Sequence, residues 1–120
     1  MKKISVLIAD DDPSILDALQ LMLEDAGYSV RTVINGKTVL SLTDNLPDLI
    51  LLDIWMSGMD GSDICKRLKK NRNTRHIPVI LISANRDTEK IAKDSGADGF
   101  ITKPFEMAEL IEKIEKNVVG

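Results

Sequence analysis

The sequence predicts an α/β domain, a doubly wound parallel sheet of five strands with helices on both faces. Three observations carry this. Strand-like runs alternate with amphipathic helical ones along the whole chain. The central runs are apolar at every position rather than at every second one, as in parallel strands covered on both sides. The chain has 120 residues, 43% of them hydrophobic and 29% charged, which suits one packed core and one domain spanning 1–120.

The elements follow in order. Ser5-Val6-Leu7-Ile8-Ala9 is a first strand, bounded by charge. Asp12 is placed to N-cap a helix whose first turn holds Pro13, where a missing N–H costs nothing. Ile15, Leu16, Leu19, Met22, Leu23 and Ala26 then keep helical spacing until Gly27 stops the run. Tyr28 to Val33 alternates, as an edge strand does. A second helix is expected from about Lys37 to Asp44. Leu49-Ile50-Leu51-Leu52 and Val79-Ile80-Leu81-Ile82 are central strands, and Gly99-Phe100-Ile101-Thr102 is a short last one. A third helix follows Asp60-Gly61 and buries Ile64, Cys65 and Leu68. A fourth runs from Thr88 to Ser95 and stops at Gly96. A fifth starts near Glu106 and buries Leu110, Ile111, Ile114 and Val118.

Composition removes several function classes. The net charge is −3, which argues against binding polyanions or membrane surfaces without specificity. A single Cys allows no internal disulfide. No apolar run approaches the ~20 residues of a membrane span. The start, Met1-Lys2-Lys3 and a short apolar run, imitates a signal peptide, but the run ends at three aspartates. The expected location is the cytoplasm.

In open parallel sheets, ligands sit beyond the carboxyl ends of the strands. After the first strand come Asp10, Asp11 and Asp12; after the third, Asp53; after the fourth, Ser83; after the fifth, Lys103 and Pro104. Two carboxylates ~5 Å apart repel by roughly 3 kcal/mol at an effective dielectric of about 20, so Asp10, Asp11 and Asp53 together cost on the order of 10 kcal/mol. Such a cluster calls for a cation or raised pKa values. Oxygen ligands without His or Cys favour Mg²⁺. An acid beside a hard cation, with Lys and Ser opposite, suits phosphoryl transfer, and a carboxylate can itself be the acceptor.

These residues resemble the receiver domains of bacterial two-component response regulators, and the resemblance covers essentially the whole chain. It is carried by Ile8-Ala9-Asp10-Asp11-Asp12, Leu51-Leu52-Asp53-Ile54, Gly58-Met59-Asp60-Gly61, Ile77 to Ala84 and Gly96 to Phe105, in order and at similar spacing. The resemblance implies a flavodoxin-like sheet of order 2-1-3-4-5. It implies that Asp53 accepts a phosphoryl group from a phosphohistidine of a sensor histidine kinase or histidine phosphotransfer protein. Mg²⁺, for which Mn²⁺ could substitute, would be held by Asp11, by Asp10 directly or through water, by Asp53 and by the backbone carbonyl of Trp55. Lys103 would pair with Asp53 and then with phosphate, aimed by a cis Lys103–Pro104 bond. Ser83 would bond the phosphate, and Phe100 would turn inward as Ser83 moves. The surface of the fourth helix, fifth strand and fifth helix would then control a downstream partner or effector domain. Dimerisation through that surface is left open. No turnover on a separate substrate is implied, only self-catalysed phosphorylation and dephosphorylation of Asp53. Ser57 stands where the family usually has Pro. Trp55 and Asn85 occupy positions that influence how fast water reaches the phosphate, and Trp55 is expected to slow hydrolysis.

Three other readings compete. A haloacid-dehalogenase-like phosphatase would use Asp10 as nucleophile, since Asp10-x-Asp12 matches its D-x-D, but Pro13 and Ser14 fit poorly and no cap insertion is present. A flavodoxin-like cofactor binder would want a Ser/Thr/Gly-rich loop where this chain has three acids. A pseudo-receiver interaction module would lack one of Asp53, Lys103 or the acidic pair. Other residues read plainly. Cys65 belongs to the core, and His76, the single His, to a loop. Lys66, Arg67, Lys69, Lys70, Arg72 and Arg75 form a solvated face rather than a nucleic-acid site. No effector domain follows Gly120, which leaves a stand-alone protein and a piece of a longer one equally open.

Overall fold

The apolar runs become the strands of one parallel sheet in the computed structural model, which describes residues 3–56 and 58–118. The expectations for Met1, Lys2, Ser57 and Gly120 fall outside them. The strands are β1 (Ser5–Ala9), β2 (Ser29–Val33), β3 (Leu49–Asp53), β4 (Val79–Ser83) and β5 (Gly99–Thr102). Their order is β2-β1-β3-β4-β5, as expected, with every pair parallel. β3 and β4 are buried at all positions, which is why their sequences do not alternate.

Side chains still divide between two faces. Val6, Ile8, Leu49, Leu51, Ile80 and Ile82 pack under helices α1 (Pro13–Asp25) and α5 (Met107–Val118). Leu7, Ala9, Ile50, Leu52, Val79 and Leu81 pack under α2 (Gly36–Leu40), α3 (Gly61–Lys70) and α4 (Thr88–Ser95). Register then builds the functional end of the sheet. Ala9 pairs with Leu52, so Asp10 and Asp53 leave adjacent strands level with each other. Ser83 pairs with Thr102, so Lys103 emerges beside Ser83.

The Asp12 cap and the Gly27 and Gly96 stops are those expected, and the Asp60 cap is new. Asp12 accepts the Ser14 N–H at 2.9 Å, Pro13 opens α1, and Gly27 follows it at φ 102°. Asp60 caps α3 through the Ser62 N–H and hydroxyl. Gly96 closes α4 in the left-handed region, at φ 79°.

Several expectations are corrected. In α1 only Leu16, Leu19 and Leu23 are buried; Ile15 is half-buried, Met22 is 50% exposed and Ala26 is exposed. Those three lie along one edge of the stripe, roughly 50–95° from its centre at 100° per residue. α2 begins one residue early, capped by Asn35, and ends at Leu40 rather than Asp44. The Ser41 hydroxyl bonds back to the Thr38 carbonyl at 2.9 Å, and Leu42 and Leu46 fold onto the same core as Val39. In α5 Ile111 and Val118 are half-buried. A two-residue antiparallel ladder, Trp55–Met56 with Met59–Asp60, was not foreseen. Cys65 is fully buried, and burial pushes its thiol up from the usual range. His76 is an exposed loop residue.

Lys69 departs from its basic run. Its ammonium donates to Asp98 Oδ2 at 2.6 Å, the Ile77 carbonyl at 2.9 Å and the Arg75 carbonyl at 3.4 Å. Asp98 Oδ2 also accepts the Val79 N–H at 2.9 Å. One half-buried cation thus ties the end of α3 to the start of β4 and the turn before β5. No helix among the described residues is long and apolar enough to cross a membrane.

Candidate functional site

Asp10 continues the sheet by one residue, its N–H donating to the Val33 carbonyl at 3.2 Å. Its Oδ1 accepts the Asp12 N–H at 2.9 Å, which turns the chain into α1 and faces the carboxylate across the strand ends. Asp10 is 4% exposed and Asp53 8%, while Asp11 is exposed. One carboxylate oxygen from each of the three lies within 4.8 Å of the others. The expected cluster therefore exists.

Across it stands Lys103, whose Nζ is 3.4 Å from Asp53 Oδ2 and 3.7 Å from Asp10 Oδ2. The Lys103–Pro104 bond is cis. That ammonium stands against the two buried carboxylates of the cluster. The Asp10 carboxyl is pushed up from 3.8 to about 6. Burial is the largest cause; the Asp12 N–H pulls the other way, Asp53 adds to the rise and Lys103 opposes it.

The remaining expected residues ring the cluster. Trp55 donates its N–H to Asp53 Oδ1 at 3.1 Å, so the backbone after β3 passes beside that carboxylate. Its indole is 63% exposed. Ser83 is buried, and its Oγ accepts the Asn85 N–H at 2.9 Å, which leaves the O–H to donate. The Ser83 carbonyl takes the Lys103 N–H at 2.9 Å and carries the ladder up to the lysine. Asn85 is held again through its carbonyl, which accepts the hydroxyl of the buried Thr88. Phe100, half-buried on β5, packs toward α4 rather than into the acid cluster. Lys113 of α5 lies over its ring at 5.2 Å from the centroid.

Sequence reasoning gave no role to Gly61. Its N–H donates to the Ile54 carbonyl at 2.6 Å. A Cβ there would overlap the Asp53 carbonyl oxygen and lie 2.8 Å from Ile54 Cα. Only glycine lets α3 begin against the backbone that carries Asp53. The signal was present in Asp60-Gly61, a cap followed by a residue with poor helix propensity. The bond of the Thr88 hydroxyl to the Asn85 carbonyl three residues before it was also missed, and so was the Lys69–Asp98 pair, because nothing local marks a partner 29 residues away.

An all-oxygen donor set, two acids buried and one exposed, fits a hard divalent cation that keeps part of its water. Two clefts of about 370 and 310 Å³ open at the opposite, amino end of the strands, near Asp48 and His76 and near Ser29 and Arg31. Neither includes a residue of the acid cluster. The acid cluster and Lys103 mark the carboxyl end of the strands as the candidate site.

Comparison with known proteins agrees with this geometry. A sequence model described as the response regulator receiver domain matches residues 6–115. The DNA-binding dual master transcriptional regulator RpaA of Synechocystis is 40% identical over 112 residues, covering 91% of this chain and 46% of its own. The nisin biosynthesis regulatory protein NisR of Lactococcus lactis is 41% identical over 116 residues, covering 94% of this chain and 49% of its own. The chain thus spans about half the length of the curated relatives it matches. Among solved structures, the signal receiver domain of a signal transduction histidine kinase from Syntrophus aciditrophicus superposes with a TM-score of 0.84 at 37% identity. That match covers 95% of this chain and 89% of the other.

Proposed function

The chain belongs to the response regulator receiver domain family, and from that premise we propose that it is a phosphoacceptor whose acceptor is Asp53. The observation that carries this is the meeting of three carboxylates within 4.8 Å of one another, with Lys103 3.4 Å from Asp53. A carboxylate oxygen of Asp53 attacks the phosphorus of a phosphohistidine. The P–N bond breaks, the imidazole leaves, and an acyl phosphate forms on Asp53. Lys103, already placed between Asp53 and Asp10, neutralises charge that grows on the phosphoryl oxygens. Ser83 supplies an O–H from the neighbouring strand. Trp55, through its N–H, keeps Asp53 oriented. Asp10, Asp11, Asp53 and the Trp55 carbonyl would hold Mg²⁺, which supplies electrostatic stabilisation of the transferring group when bound. Water later hydrolyses the acyl phosphate, so no separate substrate turns over.

The phosphoryl group then biases a two-state element. In this reading Ser83 moves toward the phosphate, Phe100 turns inward, and the surface of α4, β5 and α5 changes shape for a downstream partner or effector domain. The upstream partner is a sensor histidine kinase or a histidine phosphotransfer protein, and the compartment is the cytoplasm. The test is the intact mass after incubation with acetyl phosphate, with and without Mg²⁺, followed by mapping of the modified residue. One phosphoryl group on Asp53, gained only with Mg²⁺, is expected. Modification of Asp10 would instead make the chain a phosphatase-like enzyme, and no modification of folded protein would leave an interaction module.

A further inference from the structure

Phe100 sits on β5, which is an edge strand of the sheet. Its ring packs on the side covered by α2, α3 and α4, whereas α5 covers the other side. Lys113 leaves α5 and reaches round that open edge, placing its ammonium 5.2 Å from the ring centroid. A cation at this distance over an aromatic face is attracted by the negative face of the ring. The half-exposed lysine stem also lies along an edge that would otherwise present apolar surface.

We propose that Lys113 is a positioning residue for Phe100, holding the ring in the half-buried place seen here and opposing its inward turn. This rests on the reading above, in which phosphorylation of Asp53 draws Phe100 inward. The contact exists in one of the two ring positions, so its strength enters the equilibrium between them. Neither Lys113 nor Phe100 belongs to the acid cluster. The effect reaches Asp53 by linkage: whatever disfavours the inward state weakens every ligand that prefers it, by the same factor. For a partly exposed cation–ring contact that factor is about two- to fivefold. Glu109 stands one turn before Lys113 on α5, so removing the lysine charge also touches the helix surface, and the test has to separate the two.

The experiment titrates beryllofluoride, a phosphoryl mimic, with saturating Mg²⁺ into the full chain. Fluorescence of Trp55, the single tryptophan and two residues from Asp53, reports binding. NMR of the Phe100 ring is the second readout. Lys113→Met keeps the stem and loses the charge; the apparent Kd is expected to fall about two- to fivefold. Lys113→Arg keeps the cation and should hold the wild-type value. In a Phe100→Leu background, Lys113→Met should change nothing. An unchanged Kd in Lys113→Met, or the same fall with Leu at position 100, overturns the proposal. A wild-type chain that binds no beryllofluoride overturns the phosphoacceptor reading itself, and that outcome is visible before any variant is made.

Discussion

Replacing Asp10 by Asn measures how much charge this fold holds against itself. The side chain is almost fully buried, and its carboxyl is raised from 3.8 to about 6, first by burial. An acid whose folded value exceeds its unfolded one binds protons on folding between the two. Stability from this group is therefore greatest below about pH 4 and is lost as pH rises through about 6. At pH 7 the full shift corresponds to roughly 3 kcal/mol opposing the fold. Asn keeps the oxygen that accepts the Asp12 N–H and offers an amide donor toward Asp53. Because the new amide is itself desolvated at some cost, the expected gain is about 1–2 kcal/mol. For a domain of this size that raises the Tm by roughly 4–10 °C. The assay is thermal unfolding in chelator at pH 7 and again at pH 5. The variant should melt higher at pH 7, with the gap narrowing at pH 5. Added Mg²⁺ should stabilise wild type far more than the variant, because binding to the folded state is what raises stability. A lower Tm for Asp10→Asn in chelator at pH 7, or a gap as wide at pH 5, would refute the reasoning.

Gly61→Ala drives a methyl into the Asp53 carbonyl; backbone cannot yield cheaply there, so a loss of about 2–4 kcal/mol is expected by chemical denaturation. A loss under 1 kcal/mol would mean that α3 starts elsewhere. Lys69→Met removes three hydrogen bonds and should cost roughly 1–3 kcal/mol, with faster amide exchange at Val79, whose N–H shares Asp98. Unchanged exchange at Val79 would show that the network is dispensable. Trp55→Asn should speed loss of the acyl phosphate, measured as decay of phosphoprotein, by only a few-fold because the indole is largely solvated. An unaltered half-life would remove Trp55 from any role in shielding.

What could be read in the sequence was what depends on near neighbours. Asp12 with Pro13, and Gly27 and Gly96 after their helices, announce caps and stops within a few residues. The unbroken apolar runs of β3 and β4 announce a sheet covered twice. The acid cluster was legible because each acid closes a strand, and parallel strands end together. The limits have one cause. Met22 is as apolar as Leu23, and only its position round the packed helix decides which faces water. Lys69 looks like its basic neighbours until Asp98 arrives from another turn. α2 stops early because Leu42 and Leu46 reach the core better as a turn than as more helix.

The order of the strands in sequence has a consequence for synthesis. Asp10, Asp11 and Asp53 all lie in the first half of the chain, while Lys103 follows the last strand, at the sheet edge. Chains emerge amino end first. A nascent chain that has paired β1 with β3 brings the acids together some fifty residues before their counter-charge exists. The two buried acids therefore gain the Lys103 ammonium only when β5 docks. A ribosome-bound fragment ending before β5 should therefore be stabilised by a divalent cation more than the full chain is.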